Sequence, residues 1–268
     1  MNPGLRTTAA RHDSACHDSA IRGMVTPNYT LRAATPTTHL ALWRAYLQGA
    51  QNAYTRYGCA AALDYERVVG GEETVMFFVV LDNSQQVVGG LRVQPRFAAA
   101  AQTHALEEWA GQPGQVNLVN AIEERLDGGI VEVKTAWTDE RSPVAKEVVG
   151  QLSRLGLPIM EMCGVEHMMA TAADHVLMRW TSGGGRVDPS VPATPFPDER
   201  YRTQLMWWER ATLESATTPE VWGRMSEEAD RLAAIYPNSQ AWGARPSVRH
   251  HDRSASARAG ALAHSLRR

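Results

Sequence analysis

A glutamate and a lysine interrupt an otherwise apolar stretch, IVEVKTAW, at Glu132 and Lys134. If this stretch is a strand, the two side chains share a face, because strand side chains alternate. A buried carboxylate is costly unless it is paired, protonated or beside a cleft. In a cleft, burial raises the pKa of a carboxyl toward the range in which it accepts a proton from an amine. Glu132 is therefore a candidate general base, and an ion pair with Lys134 at the wet end of a strand is the alternative.

The predicted strand leads directly into the start of a helix, a common place for anionic ligands. Ser142 and Pro143 are typical of an N-cap and a first helical residue. Backbone amides at a helix start attract phosphate, and Arg141 and Lys146 would add positive charge there. Pro143 itself has no amide hydrogen. The stretch is either a site for a phosphorylated ligand or an ordinary capped surface helix with solvated basic side chains.

Four more side chains are candidates for contact with a substrate. Arg92 and Arg202 could each bind a carboxylate, and Tyr201 precedes Arg202 at the start of the last predicted strand. His175 follows another predicted strand and belongs to the residue type that exchanges protons near neutral pH. The alternatives are solvated surface arginines and a histidine that caps, packs or faces solvent.

The cysteines and histidines form no recognisable metal or disulfide pattern. Cys16, Cys59 and Cys163 are odd in number and far apart, which excludes a complete disulfide framework and a paired CxxC knuckle. Two HDSA repeats surround Cys16, and we interpret them as part of a flexible tail rather than as a metal site. Glu166 and His167 lack the HExxH spacing. The sequence predicts no metal.

The totals for the whole chain favour a soluble protein. Lysine and arginine number 27 and aspartate and glutamate 29, and the net charge of −2 gives no general attraction to nucleic acid or anionic membranes. The longest apolar run, VMFFVVL, is far shorter than the roughly 20 residues of a membrane span. No apolar core of a secretory signal is recognisable. We therefore expect a cytoplasmic protein with no membrane span and no specific nucleic-acid partner.

Periodicity and turn residues predict the elements that must position these side chains. Strands are predicted at 28–34, 75–81, 87–93, from 130, at 166–172 and at 201–209. Helices are predicted from Thr35 and Pro36 to Gly58, near 103–110 and 115–125, from Ser142 through Leu155, after 172, and from Pro219 to Ile235. We expect a disordered head at 1–27, one domain at 28–243 and a disordered basic tail at 244–268.

This order of elements resembles the GNAT N-acyltransferase fold. The resemblance runs from Asn28 to about Glu209 and lies in three stretches, FFVVLDNSQQVVGGLRV, IVEVKTAWTDERSPVAKEVVGQLSRLG and EHMMATAADHVLMRWTSGGGRV. It implies an α/β fold with a mixed, mostly antiparallel sheet and helices on both faces. It also implies a splay between the family's fourth and fifth strands, here those that begin near 130 and 166.

The resemblance implies a function as well, the transfer of an acyl group from acetyl-CoA or a longer acyl-CoA to a small-molecule amine. Glu132 would be the base, and His175 would replace the family's usual tyrosine acid, whose place is taken by Leu177 and Met178. The residues implied in cofactor binding are Ala136, Trp137, Thr138, Arg141, Ser142, Val144, Ala145 and Lys146. Those implied in acceptor binding are Arg92, Tyr201 and Arg202.

The chain departs from the family at the helix start. Arg141 matches, but Val144 and Lys146 occupy the places of two small residues, usually glycines. Acyl-homoserine-lactone synthases and long-chain N-acyl amino acid synthases also have this fold without the glycines, and their donor can be an acyl carrier protein. A non-catalytic GNAT-like domain that binds a ligand or a protein is the alternative.

Four tryptophans could form the wall of a pocket for a long acyl chain. The alternative is that they only fill the hydrophobic core. They are Trp137, Trp180, Trp207 and Trp208.

Overall fold

Eight strands form one mixed sheet within residues 22–239, the part of the chain that the computed structural model describes. Their bounds are β1 (Met24–Val25), β2 (Tyr29–Ala34), β3 (Met76–Asp82), β4 (Val87–Val93), β5 (Ile130–Thr138), β6 (His167–Ala173), β7 (Arg186–Val187) and β8 (Thr203–Glu209). The order across the sheet is β1-β2-β3-β4-β5-β6-β8-β7. Only β5 and β6 are parallel neighbours. The predicted mixed, mostly antiparallel sheet is confirmed.

Helices cover both faces of this sheet, as the sequence predicts. Their bounds are α1 (Leu40–Arg56), α2 (Tyr65–Val68), α3 (Ala105–Glu108), α4 (Gln115–Glu123), α5 (Ala145–Ser153), α6 (Gly156–Cys163), α7 (Leu177–Thr181) and α8 (Pro219–Ile235). The apolar side chains of α1, α3 and α4 pack on one face, and those of α5, α6 and α8 on the other. No helix among residues 22–239 combines the length and apolar character that a membrane span requires.

The last helix shows how closely local sequence can determine an element. Thr218 caps α8 by accepting a hydrogen bond from the Val221 amide at 3.4 Å, and Pro219 is the first helical residue. Buried apolar side chains recur along one face of the helix at Met225, Ala229 and Leu232. This stripe packs on α6, because three- and four-residue spacing keeps it on one side of the helix.

The two parallel strands separate halfway along their length. Their pairing runs from Ile130 opposite His167 to Val133 opposite Ala170, although β5 continues to Thr138 and β6 to Ala173. From Lys134 onward, the edge of β5 that faces β6 therefore has no strand partner. The predicted splay is confirmed, and it opens a gap through the sheet at this point.

A glycine in the middle of α1 makes room for a tryptophan beside this gap. A Cβ atom added at Gly49 would lie 2.0 Å from Cη2 of Trp137, which is 7% exposed. The indole is held against the ring of Tyr46, at a centroid distance of 6.3 Å. The close approach of α1 to β5 therefore depends on the absence of a side chain at Gly49.

Gly49→Ala is expected to lower the free energy of unfolding by about 1–3 kcal/mol, because overpacking outweighs the better helix propensity of alanine. Gly150→Ala in α5 is the matched control, since the nearest atom to its added Cβ would be the Arg154 guanidinium, at 3.4 Å. That variant should gain up to about 1 kcal/mol. Urea denaturation of both variants measures the difference, and a stabilised Gly49→Ala protein would contradict this packing.

Two predicted helix starts are wrong by several residues. The first helix begins at Leu40 after His39, not at Pro36, because Thr35 and Thr38 form a hydrogen-bonded turn before it. Helix α5 begins at Ala145, not at Ser142. Ser142 and the residues that follow it form a turn, in which the carbonyl of Ser142 accepts the amide of Ala145 at 3.1 Å.

Other differences concern elements that the sequence did not predict. The helix predicted through Leu155 ends at Ser153, and α6 follows as a separate helix. Met24 and Val25 lie in the predicted disordered head but pair with Leu31 and Thr30 of β2. The stretch around Cys16 and the basic tail at 244–268 lie outside the described residues.

Candidate functional site

A cavity of about 720 Å³ occupies the gap between the diverging ends of β5 and β6. Its walls come from both faces of the sheet, with α1 on one side and α5, α6 and α7 on the other. A cavity of this size suits a small molecule or a cofactor arm. The cavity therefore passes through the sheet, from an apolar part to a polar part.

The apolar part lies between the sheet and α5 to α7. Aliphatic and aromatic side chains line it, namely Val149, Leu152, Leu155, Ile159, Met168, Trp180 and Trp208. Of the four tryptophans considered from the sequence, Trp137 also lines the cavity, whereas Trp207 does not. Trp207 instead packs under Arg125 in the core on the opposite face.

The polar part contains a buried ion pair. The ammonium of Lys134 contacts Glu108 Oε1, and both side chains line the cavity although they are only 9% and 1% exposed. Thr171 completes this group, since its hydroxyl lies 3.0 Å from Lys134 Nζ and 3.1 Å from Glu108 Oε1. The second carboxylate oxygen of Glu108, Oε2, is buried and has no hydrogen-bond partner. Oε2 is thus an unpartnered acceptor on a residue that lines the cavity.

The charges of this pair are stabilised by each other. Burial alone raises the pKa of Glu108, but Lys134 and His104 outweigh that effect and lower it to about 2. Burial likewise opposes the charged form of Lys134, and the carboxylates of Glu108 and Glu132 still raise its pKa above the usual value. Glu108 is therefore ionised and Lys134 protonated at neutral pH.

Glu132, the candidate base, lies behind this pair and does not line the cavity. Its side chain is fully buried, and Oε2 accepts the backbone N–H of His104 at 2.9 Å. Its other oxygen lies 3.5 Å from Lys134 Nζ. Glu132 and Lys134 share a face as predicted, but their pairing is in the interior rather than at a wet strand end. Direct contact between Glu132 and a ligand would require Lys134 to move.

The same cluster has the composition of a metal site. His104, Glu108 and Glu132 offer ligand atoms within 4.8 Å of one another. The ammonium of Lys134, however, contacts Glu108 and lies 3.5 Å from Glu132. A lysine side chain already supplies the positive charge that these carboxylates require.

Two of the predicted acceptor residues lie outside the cavity. Arg92 is 2% exposed and sits behind β5, where its Nε donates to Thr135 Oγ1 at 3.2 Å. Arg202 is exposed at the surface, 3.8 Å from Asp174. Their positions correct the expectation that either one faces the ligand, because Arg92 is covered by α1 and Arg202 is directed toward solvent.

Tyr201 and His175 do line the cavity, near its mouth. The Tyr201 hydroxyl donates to the carbonyl of Tyr57 at 3.1 Å, and its ring lies 6.1 Å from the ring of His175. His175 itself is exposed. The predicted site residues at the end of β6 and the start of β8 are therefore brought together.

The predicted cofactor residues divide into two groups. Those that line the cavity are Ala136, Trp137, Thr138, Ala145 and Lys146. Arg141 and Ser142 do not line it, and Val144 faces a separate shallow cleft together with Asn28 and Glu147. The guanidinium of Arg141 is paired with Asp139 through bonds of 3.0 and 3.1 Å, which hold the pKa of that carboxyl below its usual value. Phosphate binding by Arg141 would have to compete with Asp139.

Sequence reasoning missed Glu108 and Thr171. Glu108 lies in α3, a helix of four residues, next to the exposed Glu107, so the two acidic residues look equivalent in the sequence. Only the packing of α3 against β5 separates their roles. Trp137, expected in the cofactor site, lines the cavity, and its indole N–H is buried without a hydrogen-bond partner.

No protein-family model matches the chain. Over 203 residues it is 39% identical to the uncharacterized protein Rv1356c of Mycobacterium tuberculosis (strain ATCC 25618 / H37Rv), a match that covers 75% of this chain and 77% of the relative. The uncharacterized protein Mb1391c of Mycobacterium bovis matches with the same identity and coverage. These values are high enough to establish common family membership.

The chain is similar in structure to solved acyltransferases, and one of them shows the fold. FeeM, an N-acyl amino acid synthase from uncultured soil microbes, superposes with a TM-score of 0.50 at 12% identity, covering 72% of this chain and 96% of that chain. BjaI, a CoA-dependent acyl-homoserine lactone synthase, gives a TM-score of 0.46 at 13% identity, covering 75% and 88%. The superposition on FeeM shows that the chain has the GNAT fold that its element order resembles, and the chain belongs to the same protein family as the mycobacterial proteins Rv1356c and Mb1391c.

Proposed function

We propose that this protein is an N-acyltransferase that moves an acyl group from an acyl-CoA thioester to a small-molecule amine. One observation carries the proposal, namely the cavity that passes through the splay, apolar on one side of the sheet and charged on the other. Such a cavity brings an apolar chain and a polar acceptor together beside free strand backbone. The GNAT fold agrees with this chemistry.

The free edge of β5 is the proposed position of the donor's pantetheine arm. Residues 134–138 have no strand partner on the β6 side, so their backbone groups can pair with the amides of the arm. The unpartnered indole N–H of Trp137 offers one more donor. Lys146, at the start of α5, supplies positive charge at the mouth for the diphosphate.

The apolar part is the proposed position of the acyl chain. Side chains such as Leu155, Ile159 and Met168 would be in contact with methylene groups, and acetyl alone would leave most of this space unfilled. We therefore propose a donor with a chain longer than acetyl. An acyl carrier protein could present the same thioester and arm.

Glu108 is the proposed anchor of the acceptor amine. Its unpartnered Oε2 can accept a hydrogen bond from an ammonium or amine, and the neighbouring Lys134 fixes the carboxylate in place. Tyr54, Tyr57 and Phe196 line the same side of the cavity and would be in contact with an apolar body of the acceptor. Glu132 is then a positioning residue, because it holds Lys134, which in turn holds the Glu108 carboxylate.

The reaction itself forms one bond and breaks one. The neutral amine nitrogen attacks the carbonyl carbon of the thioester, and the carbonyl π electrons move onto oxygen as the N–C bond forms. When the C=O bond reforms, the C–S bond breaks and its electron pair leaves with sulfur. The nitrogen loses one proton and the thiolate gains one, so the products are an amide and a free thiol.

The proton transfers are assigned to different groups. A carboxylate with a pKa of about 2 is a weak base, so Glu108 orients the amine, whose proton leaves to solvent at the cavity mouth. His175 lines that mouth and is the proposed donor to the departing thiolate. Backbone amides near Trp137 would polarise the thioester carbonyl.

A binding domain without catalysis is the second candidate. The pairing of Arg141 with Asp139, together with valine and lysine at the places of the family's small residues, favours it. Such a domain would bind an acyl-CoA without releasing free thiol. Isothermal titration with octanoyl-CoA, followed by detection of thiol release with a panel of amines, separates the two functions.

Glu108→Gln is expected to lower kcat/KM for the acceptor about 10- to 100-fold, because a hydrogen bond to a charged group contributes roughly 1.5–3 kcal/mol. The Kd for octanoyl-CoA should change by less than about twofold, since Glu108 does not contact the donor. Glu107→Gln, the exposed neighbour paired with Arg67, is the matched control. Equal turnover in the two variants would remove Glu108 from the acceptor site.

A further inference from the structure

Thr135 holds a backbone conformation that its residue type rarely adopts. Its φ is +55°, in the left-handed region, where a β-branched residue is a genuine outlier. Such a conformation costs on the order of 1–3 kcal/mol and persists only where the surroundings impose it. Thr135 lies inside β5, next to the unpaired edge and in the wall of the cavity.

The strained residue belongs to a bulge between β4 and β5. Gly90 pairs with Trp137 and Arg92 pairs with Lys134, so Thr135 and Ala136 together stand opposite Leu91 alone. A bulge of this kind redirects the backbone groups of the extra residue away from the ladder. The bulge therefore explains why backbone amides at Thr135 and Ala136 can point out of the hydrogen-bonding plane of the sheet.

Two buried side chains hold the bulge from behind. The hydroxyl of Tyr46 donates to the carbonyl of Thr135 at 2.7 Å, and Arg92 Nε donates to Thr135 Oγ1 at 3.2 Å. Both side chains are essentially unexposed, and neither lines the cavity. Tyr46 reaches this position because Gly90 has no side chain, whose Cβ would lie 3.0 Å from the tyrosine ring.

The direction of the Thr135 carbonyl determines that of the next amide. In a planar trans peptide the C=O and N–H groups point in opposite directions. Because the carbonyl of Thr135 points toward Tyr46 on α1, the N–H of Ala136 points away from α1. That direction leads toward the other face of the sheet, where α5 and the apolar part of the cavity lie, and Ala136 lines the cavity.

We propose that Tyr46 and Arg92 are positioning residues that keep the Ala136 N–H directed at the thioester carbonyl oxygen. The inference rests on the proposed acyl transfer and explains why a strained threonine and a buried arginine occur at this place. Negative charge develops on that oxygen as the amine attacks, and a fixed N–H donor stabilises it. Arg92, expected from the sequence to bind the acceptor, thereby has a role behind the strand.

The test is Tyr46→Phe, which removes the hydrogen bond to Thr135 and keeps the ring. Turnover of octanoyl-CoA is expected to fall by at least about tenfold, toward the roughly 10²- to 10³-fold loss of a missing oxyanion donor, with KM for octanoyl-CoA changed less than about twofold. A binding readout that needs no acceptor is the infrared carbonyl band of octanoyl-CoA labelled with ¹³C at the thioester. The wild-type protein should shift this band to lower frequency, and Tyr46→Phe should reduce the shift.

Two further variants exclude a general loss of structure. Thr135→Gly in the Tyr46→Phe background removes the strain, because glycine adopts a positive φ freely, but it also removes the hydroxyl that accepts from Arg92. It should therefore restore only part of the band shift. Tyr29→Phe removes a comparable buried hydrogen bond, 3.0 Å to Gln151, away from the cavity, and should leave the band unchanged.

The outcomes distinguish this inference from the function on which it rests. A wild-type protein that does not bind octanoyl-CoA overturns the proposed function and this inference with it. Binding by the wild type, together with the same band position and turnover in Tyr46→Phe, overturns the positioning role alone. A reduced shift that Thr135→Gly partly restores supports it.

Discussion

Lys134→Met is expected to lower the free energy of unfolding at pH 7 by about 3–5 kcal/mol, the usual cost of removing one partner from a buried ion pair. Lys134 is shared by two buried carboxylates, Glu108 in contact and Glu132 at 3.5 Å. Without it, both acids lose the charge that offsets their burial. Urea denaturation measures the change, and Lys146→Met, the same substitution at an exposed site, should remain within about 0.5 kcal/mol of the wild type.

The difference in the free energy of unfolding between the wild type and Lys134→Met should depend on pH in a definite direction. The pKa of Glu108 is lowered from 4.5 to about 2 in the folded protein, so its contribution to stability is present above about pH 4.5 and is lost as the pH falls toward 2. The pKa of Lys134 is raised from 10.5, so its contribution is lost only at alkaline pH. The difference between wild type and Lys134→Met should therefore narrow below pH 4.5. A constant difference down to pH 2.5 would contradict the assigned pairing.

The parts of the fold that the sequence predicts are those set by local patterns. The hairpin of β3 and β4 follows from two apolar runs around a polar turn, and α8 follows from Thr218 and Pro219 before an apolar stripe. Helix α6 does not have such a stripe, because seven of its eight residues are buried on all sides. In the sequence, Gly156 and Pro158 at its start are residue types typical of loops, although proline is tolerated in the first turn of a helix.

Strand periodicity predicted only one part of the candidate site, the face of the strand on which its charged side chains lie. Alternation places Glu132 and Lys134 on one face, and the structure agrees. It does not indicate which of them borders open space, because that depends on where β6 diverges and where α3 packs. Glu108 approaches Lys134 across 26 residues of sequence, and Tyr46 approaches Thr135 across 89. Contacts of this kind come from the packing of separate elements, and no local pattern encodes them.

Octanoyl-CoA is expected to bind about 10²- to 10³-fold more tightly than acetyl-CoA. Each methylene group buried in an apolar site contributes roughly 0.8 kcal/mol, so six additional groups contribute at most about 5 kcal/mol, less the cost of immobilising the chain. The apolar part of the cavity, with Leu152, Leu155 and Ile159 in its wall, provides the contacts. Isothermal titration with both thioesters measures the ratio, and equal affinities would mean that the chain does not enter this space.

Val149→Phe tests whether that space, rather than the protein surface, gives the preference. Val149 lines the apolar part from α5 and is only partly buried, so a larger side chain can narrow the cavity without disrupting the core. The variant should weaken octanoyl-CoA binding by at least about tenfold and leave acetyl-CoA within about twofold, because only the longer chain reaches this position. Val116→Phe, at a residue 69% exposed and outside the cavity, is the matched control. If both variants weakened the two thioesters equally, the chain-length preference would have a source other than the gap between β5 and β6.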